Sequence, residues 1–222
     1  MNSQAIAEAV IWVGLFFLVS GPVHECAHAF TAWKLGDGTA KLFGRVSLDP
    51  VRHFDPVGGG LLILSVVLGL ISNGTTSGFG WAKPTPVNPY NLRGRYADTM
   101  VAAAGPLSNL ALAAVFGIGF RILWAQGGRP DNVSVTDMAT LVCFLGVELN
   151  VVIMIFNLIP IAPLDGSHVL FDLVSPRTAN DLRNFMNQYG IMLLVVVIIL
   201  AGQIIIPIAR PIVSFLIGQP LL

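Results

Sequence analysis

Long apolar stretches separated by short polar ones dominate the chain, and this pattern predicts helices that cross a membrane. The apolar segments cover residues 5–33, 57–72, 99–120, 138–160 and 187–209, followed by a hydrophobic tail to Leu222. A helix needs about 20 apolar residues to span the hydrocarbon core of a bilayer, and four of the five segments reach that length. The sequence therefore predicts an all-α polytopic membrane protein with about four transmembrane helices and interfacial loops, in a single domain of residues 1–222.

The segment from Val57 to Ser72 is the exception, because it is only about 16 residues long. It opens with glycines at 58–60 and closes on Ser-Asn-Gly, which is more typical of a re-entrant element than of a crossing helix. Three prolines in residues 80–89 then predict an extended or looped stretch that Trp81 anchors at the interface. A plain connecting loop is the alternative for this stretch.

Composition supports an integral membrane protein, since 55% of the residues are hydrophobic, 11% are charged and the mean hydropathy is +0.77. The net charge is zero and no basic cluster is present, so nothing indicates nucleic-acid binding. Cys26 and Cys143 lie in apolar segments without a spacing pattern, which argues against a disulfide framework or a thiolate zinc site. The first segment lacks a basic leader and is expected to be a retained span.

A metal-binding motif lies near the end of the first apolar segment, where residues 24–28 read His-Glu-Cys-Ala-His. Residues four apart share one face of an α-helix, so the imidazoles of His24 and His28 can bind one cation. Glu25 is placed to be the general base, taking a proton from a zinc-bound water whose pKa the metal has lowered to about 7. Two structural histidines are the alternative, but ionisable residues inside a membrane cost roughly 2.5–3.5 kcal/mol each and persist mainly where they function.

The third metal ligand is predicted at Asp165, which follows Pro160 and Pro163 at the end of the segment 138–160. Irregular backbone at membrane depth must line protein or a water-filled cavity. Two imidazoles and one carboxylate leave one position of a tetrahedral zinc ion open for water, as a catalytic site requires. An ordinary turn at a helix end is the alternative interpretation of this aspartate.

Three ordered motifs resemble those of the site-2 proteases, which are intramembrane zinc metalloproteases. The motifs are His-Glu-Cys-Ala-His at 24–28, Gly-Pro-Leu-Ser-Asn at 105–109, and residues 157–166. Residues 50–56 and the Gly-Trp-Ala-Lys-Pro stretch at 80–84 resemble the compact branch of the family that lacks a PDZ insertion. The resemblance therefore extends over nearly the whole chain.

This resemblance implies that one zinc ion serves the hydrolysis of peptide bonds in membrane-spanning substrates. The zinc ligands and the general base are then assigned, in that order, to His24, His28, Asp165 and Glu25. Asn157 and Asn109 match positions that help to hold the substrate strand or the transition-state oxyanion. The implied partners are a transmembrane protein substrate and the lipid bilayer, and the implied location is the inner membrane of a prokaryotic cell.

Four further residues draw attention without a settled role. Glu148 lies within the segment 138–160, and the resemblance offers no function for it. His168 is interpreted as a solvated residue past the helix break, with support of the metal site as the alternative. His53 lies in an amphiphilic loop that either covers the site or rests on the bilayer surface, and Pro22 predicts a helix kink two residues before the first histidine.

Topology follows from the requirement that His28 and Asp165 meet at one depth. Both lie toward the C-terminal ends of their segments, so these segments must run parallel and one segment between them must fail to cross. With residues 57–72 in that role, nine of the twelve basic residues lie on one side, namely Lys34, Lys41, Arg45, Arg52, Lys83, Arg93, Arg95, Arg177 and Arg183. Cytoplasmic loops are enriched in Lys and Arg, so this side is predicted to be cytoplasmic and the metal site to lie nearer to it.

A membrane zinc carrier or sensor is the competing hypothesis. A carrier should place ionisable residues at several depths, whereas residues 61–70 and 191–201 are almost wholly apolar. A catalytically dead scaffold is a third possibility, which the intact Glu25 disfavours. Iron or cobalt can occupy similar ligand sets, so the assignment of zinc rests on ligand type.

Overall fold

The computed structural model describes residues 3–72, 78–130 and 134–221, and within these ranges the chain forms helices joined by loops, without a β-strand. The α-helices of this described part are α1 (Ser3–Leu15), α2 (Gly21–Lys34), α3 (Thr39–Leu42), α4 (Pro50–His53), α5 (Pro56–Ser72), α6 (Ala97–Ala125), α7 (Val135–Asn157), α8 (Asp165–Leu173), α9 (Pro176–Ile199) and α10 (Ala201–Ile217). A π-helical turn at Phe16–Ser20 joins α1 to α2, and a 3-10 turn at Pro89–Asn91 precedes α6.

Four helical stretches are long and apolar enough to cross a membrane: Ser3–Lys34, Ala97–Ala125, Val135–Asn157 and Pro176–Ile199. The first of them comprises α1, the π-helical turn and α2. The predicted all-α class and the four spans are confirmed, and the chain is an integral membrane protein. The specific membrane and the orientation within it stay predictions.

The last predicted span differs in its bounds from the helix that forms. The apolar pattern predicts 187–209, whereas α9 begins at Pro176 and a break at Leu200 separates it from α10. The first turns of α9 are polar and are started by Ser175, whose hydroxyl accepts the backbone N–H of Thr178. Hydropathy alone cannot detect a polar helix start, which explains the difference.

A π-helical turn directly precedes Pro22, where the sequence predicts a kink. The backbone N–H of Gly21 bonds to the carbonyl oxygen of Phe16, five residues earlier, and Pro22 has no N–H to donate. The helix therefore accommodates the missing bond by widening over one turn. The two histidines of the metal-binding motif follow within the next two turns of α2.

The short apolar segment forms an α-helix, α5, whose first N–H groups are capped by the carboxylate of Asp55. Its 17 residues are fewer than those of the four spans. Leu62 of α5 is fully buried and belongs to the same apolar cluster as Trp12 and Leu15 of α1. The prediction of a re-entrant element concerns depth in the bilayer and stays a prediction.

Helices α6 and α7 form the centre of the fold, and α10 completes the largest apolar core with them. Close approach of α6 and α7 depends on small residues: a Cβ at Gly146 would lie 2.5 Å from the ring of Phe116. Helices α2 and α8 both pack against α6. This arrangement brings the elements that carry the predicted ligands onto one central helix.

Candidate metal centre

Three side chains that are far apart in sequence meet at one point beside α6. His24 and His28 lie one turn apart on α2, and their Nε2 atoms are 3.0 Å from each other. Oδ2 of Asp165, the first residue of α8, lies 3.2 Å from Nε2 of His24 and 3.4 Å from Nε2 of His28. Among the described residues, this is the one group of at least three His, Cys, Asp or Glu side chains whose ligand atoms gather within 4.8 Å.

The three donors fit a zinc ion. Their separations are close to the edge of a tetrahedron with ligand bonds of about 2.0 Å, which is about 3.3 Å. Oδ2 of Asp165 is buried and has no hydrogen-bond partner in the part of the chain that the structure describes, so it lacks the counterpart that a cation would supply.

A buried amide fixes the orientation of His24. Oδ1 of Asn109 lies 2.6 Å from Nδ1 of His24, and Nδ2 of Asn109 donates to Oδ1 of Asn150 at 2.8 Å. The second bond sets the orientation of the Asn109 amide, so its oxygen faces the imidazole and Nδ1 of His24 carries the proton. The lone pair of Nε2 is then directed at the metal position.

His28 is oriented in the same way by the backbone. Its Nδ1 lies 2.7 Å from the carbonyl oxygen of Val101 and donates to it, which leaves Nε2 free to bind the metal. Val101 and Asn109 both belong to α6, so one helix sets the tautomer of both imidazoles. Neither contact is visible from the local spacing of the two histidines.

Gly105 of α6 leaves the space that the metal centre needs. A Cβ at this position would lie 2.4 Å from Nε2 of His28 and 2.6 Å from Nε2 of His24. These are the two nitrogens that would bind the metal, so a side chain here would occupy the space next to them. The glycine is followed by Pro106, which is fully buried inside α6. The absence of a side chain at Gly105 therefore leaves room beside the two imidazole nitrogens.

The predicted base, Glu25, is half-buried and accepts a hydrogen bond from the proline-rich stretch. The hydroxyl of Thr85 donates to Oε2 of Glu25 at 2.7 Å. We call residues 82–88 the strap, since they pass over α2 in a non-helical conformation at this point. The prediction of an extended or looped segment agrees with this conformation.

Two side-chain pairs hold α8, and with it Asp165, on the start of α6. Nδ1 of His168 lies 2.9 Å from Oδ2 of Asp98, and the hydroxyl of Thr99 donates to Oδ2 of Asp172 at 2.7 Å. The bond to Asp98 raises the pKa of His168 above its ordinary value. His168 is exposed, as the sequence predicts, and it also helps to fix the helix that begins with the carboxylate ligand.

The remaining predicted residues lie outside the cluster of three donors. Nδ2 of Asn157 donates to the carbonyl oxygen of Ile153 in its own helix. His53 is 1% exposed, and its Nε2 lies 2.7 Å from the carbonyl oxygen of Ser47, so it stabilises its own loop, whose position relative to the bilayer stays a prediction. Glu148 is partly buried in α7, and no contact among the described residues links it to the three donors.

Asn109 has a different environment from the one that substrate binding would require. It is fully buried, its oxygen faces His24, and its amide nitrogen is directed at Asn150 and the carbonyl oxygen of Ser20. The structure thus places Asn109 at Nδ1 of His24, on the side of the imidazole away from the metal-binding nitrogen Nε2. Sequence reasoning missed Asn150 and Thr85. A polar amide in the middle of an apolar helix was the available signal for Asn150.

Comparison with known proteins identifies one family. The model of peptidase family M50 matches residues 122–201, a range that contains Asp165 and lies C-terminal to both histidines. No solved structure matches the chain significantly.

Three bacterial relatives illustrate the similarity. "Putative zinc metalloprotease YwhC" of Bacillus subtilis is 38% identical over 160 residues, which cover 72% of this chain and 67% of the relative. "Putative zinc metalloprotease Rip2" of Mycolicibacterium smegmatis is 30% identical over 199 residues, covering 85% of this chain and 69% of the relative. The protein of the same name from Mycobacterium tuberculosis (strain H37Rv) is 32% identical over 198 residues, covering 87% and 69%.

Proposed function

The chain belongs to peptidase family M50, the site-2 proteases, and we propose from this premise that it hydrolyses peptide bonds within or near transmembrane segments of membrane proteins. The observation that carries the proposal is the meeting of His24, His28 and Asp165 next to Glu25 in a helical domain of membrane-spanning composition. An acid-base group directly beside a metal ligand set is the arrangement that hydrolysis requires.

Zinc is the cofactor implied by the family and by the names of the relatives. When bound, it supplies a Lewis acid that lowers the pKa of water and polarises the carbonyl oxygen of the scissile bond. His24, His28 and Asp165 would hold it. The role of Asn109 and Asn150 is then to keep the first imidazole in the tautomer that binds metal.

Glu25 acts as the general base and then as the general acid. Its carboxylate accepts a proton from the attacking water while the water oxygen forms a bond to the carbonyl carbon of the substrate. The same carboxyl group then donates that proton to the nitrogen of the scissile bond as the carbon–nitrogen bond breaks. Half-burial limits competition from bulk water around this side chain.

The substrate has to reach this site in an extended form. A helical backbone engages its carbonyl groups in internal hydrogen bonds, so a transmembrane helix must partly unwind before a peptide bond can be attacked. The prolines at 84 and 86 favour an extended conformation of the preceding residues, Lys83 and Thr85. We infer that the substrate strand binds along this edge of the strap.

The backbone of the strap has free donors for such a strand. Among the described residues, neither Thr85 nor Val87 has a hydrogen-bond partner for its backbone N–H, whereas the N–H of Lys83 bonds to the carbonyl oxygen of His53. In an extended chain, alternate residues direct their N–H groups to the same side. A substrate strand paired with Thr85 and Val87 would lie beside the residue whose hydroxyl binds Glu25.

A proline substitution tests this docking. Val87→Pro removes one N–H donor and should lower kcat/KM roughly 3–10-fold, the value of one hydrogen bond, mainly by raising KM. Val87→Ala keeps the N–H and is the matched control, so it should stay close to wild type. Cleavage of a transmembrane substrate that is undiminished in Val87→Pro would exclude this edge as the binding site.

The orientation of the protein is part of the proposal. Nine of the twelve Lys and Arg residues lie on the side of the Lys34 loop if α5 is re-entrant, which favours the cytoplasmic side for that loop. His24 is roughly 15 Å along the helix from Lys34, so the site would open nearer to the cytoplasm. The bacterial origin of the relatives supports a cell membrane of a prokaryote.

Reconstitution tests the proposed activity. The wild-type protein in liposomes should cut members of a set of labelled transmembrane peptides, with the positions identified by mass spectrometry. Glu25→Gln should retain one zinc ion per chain and lose cleavage by roughly 10²–10⁴-fold, the contribution of a general base. Cleavage that survives in this variant would reject the assigned base, and zinc uptake into liposomes without any cleavage would support the carrier alternative.

A further inference from the structure

The contact between Thr85 and Glu25 joins two parts of the chain that are 60 residues apart. The Thr85 hydroxyl oxygen lies 2.7 Å from Oε2 of Glu25 and 3.0 Å from the backbone carbonyl oxygen of the same residue. A hydroxyl has one proton to donate, and a bond to a carboxylate is stronger than a bond to a neutral carbonyl. The side chain of Glu25 is therefore the preferred acceptor.

Arg45 anchors the strap immediately before Thr85. The Arg45 side chain is almost completely buried, at 4% exposure, and its guanidinium donates to the carbonyl oxygens of Lys83 and Pro84, the latter at 2.8 Å. It also donates to the carbonyl oxygen of Arg52 in α4. The planar guanidinium can hold these carbonyl groups in fixed relative positions, which an ammonium group cannot do.

Two further bonds hold the strap on either side of Thr85. The backbone N–H of Lys83 donates to the carbonyl oxygen of His53 at 2.8 Å, and the backbone N–H of Asn88 donates to Oδ2 of Asp37 at 2.7 Å. Asp37 is fully buried and accepts from Thr39 and Asn91 as well. None of these anchors uses the Thr85 hydroxyl, so the strap does not need that hydroxyl to keep its place.

We propose that Thr85 is a positioning residue for the general base and that Arg45 sets its position. The hydroxyl selects one rotamer of Glu25, a side chain with three rotatable bonds, and directs its second carboxylate oxygen toward the attacking water. This inference rests on the proposed function, because it assigns a task to Thr85 within the same hydrolysis.

Replacement of the hydroxyl by a methyl group is the direct test. Thr85→Val keeps the shape of the side chain and should lower kcat roughly 10–100-fold, while KM changes by less than about 3-fold. The zinc content should stay at one ion per chain, since no metal ligand is touched. Thr85→Ser restores the hydroxyl and should return kcat to within about 3-fold of wild type.

A second variant and a control separate positioning from folding. Arg45→Lys should also lower kcat and retain zinc, because it loses the bonds to Lys83 and Pro84. Thr140→Val is the matched control, since the Thr140 hydroxyl is buried and, among the described residues, bonds only to the carbonyl oxygen of Thr136 in its own helix. This control should keep wild-type kcat and KM.

Several results would overturn the proposal. An unchanged kcat in Thr85→Val, an equal loss in Thr85→Val and Thr85→Ser, a change confined to KM, or loss of zinc from Thr85→Val would each do so. The proposed function fails separately: activity that persists in Glu25→Gln rejects the base itself. An inactive Glu25→Gln together with a fully active Thr85→Val rejects the positioning role alone.

Discussion

Nδ1 of His24 lies 2.6 Å from Oδ1 of Asn109, and both side chains are buried where α2 packs against α6. This pair couples the orientation of the first imidazole to the central helix of the fold. Asn150 extends the contact to α7 through the bond that fixes the Asn109 amide. Three of the membrane-spanning helices thus determine where one metal-binding nitrogen points.

Substitution of Asn109 should weaken metal binding without removing a ligand. Asn109→Leu has a similar volume but leaves Nδ1 of His24 without its acceptor, so the imidazole can rotate or change tautomer. Zinc affinity, measured by competition with a chelator, should fall roughly 10–100-fold.

Asn157→Leu is the matched control for this prediction. The Asn157 amide donates to the carbonyl oxygen of Ile153 in its own helix and has no hydrogen bond to an imidazole in the described part of the chain. Its zinc affinity should equal that of the wild type. If Asn109→Leu binds zinc as tightly as this control, the oriented tautomer is not important for binding.

Gly105 gives a steric prediction. Gly105→Ala places a Cβ 2.4 Å from Nε2 of His28, closer than any real contact, so one imidazole must move away from the metal position. Zinc binding should fall more than about 100-fold while the α-helical circular dichroism of the purified protein is kept.

The control for the steric prediction is Gly14→Ala in α1. A Cβ at Gly14 would meet nothing within 4 Å, so the same substitution should leave zinc binding unchanged. Tight zinc binding by Gly105→Ala would show that the two imidazoles do not need the space beside this glycine.

Local patterns explain how much of the site could be predicted. His24, Glu25 and His28 are recognised because ligands one helical turn apart are a property of five consecutive residues. Asp165 follows from irregular, proline-rich backbone at the end of an apolar segment. Hydropathy likewise predicts the central spans, because α6 and α7 are apolar over most of their length.

Contacts between distant segments account for what could not be predicted. Thr85 lies in a proline-rich loop whose local sequence does not indicate a contact with Glu25. The bond to Glu25 depends on how Arg45, His53 and Asp37 place the strap. The polar first half of α9 is invisible to hydropathy, although Ser175 starts the helix there. Tertiary structure therefore supplies the surroundings of a site whose ligands are visible in the sequence.

The ion pair between His168 and Asp98 predicts a pH-dependent contribution to stability. The pKa of His168 is raised in the folded protein, so the pair stabilises the fold fully below the ordinary histidine pKa of about 6.5 and loses this contribution as the pH rises through the folded pKa. The pair is partly exposed, so its contribution should stay below about 1 kcal/mol. At about pH 6 the melting temperature of the wild-type protein should be higher than that of His168→Gln. This difference in melting temperature should be smaller at about pH 9.

Thr99→Val provides the comparison, because it removes the neighbouring bond to Asp172 without removing a histidine. Its melting temperature should fall by the same amount at both pH values. A difference between wild type and His168→Gln that is constant or grows with pH would contradict the assigned ion pair.

Zinc should stabilise the folded protein by mass action. The three ligands come from α2 and α8, so metal binding links two helices that separate on unfolding. Zinc at about 100 times its dissociation constant should add about 2.7 kcal/mol to the free energy of unfolding. Differential scanning calorimetry should show a lower melting temperature after zinc is removed with a chelator, and added zinc should return it to the original value. The melting temperature of His28→Ala should not change on addition of zinc. A response of equal size in that variant would place the stabilising ion elsewhere.

The central claim is that His24, His28 and Asp165 together hold one zinc ion beside Glu25, and X-ray absorption at the zinc edge measures this most directly. Wild-type protein with one zinc ion per chain should show two imidazole nitrogens and oxygen ligands at about 2.0 Å, without sulfur. Asp165→Asn should bind zinc more weakly with the imidazole signal retained. A thiolate in the coordination shell, or an identical spectrum and affinity in Asp165→Asn, would contradict the account.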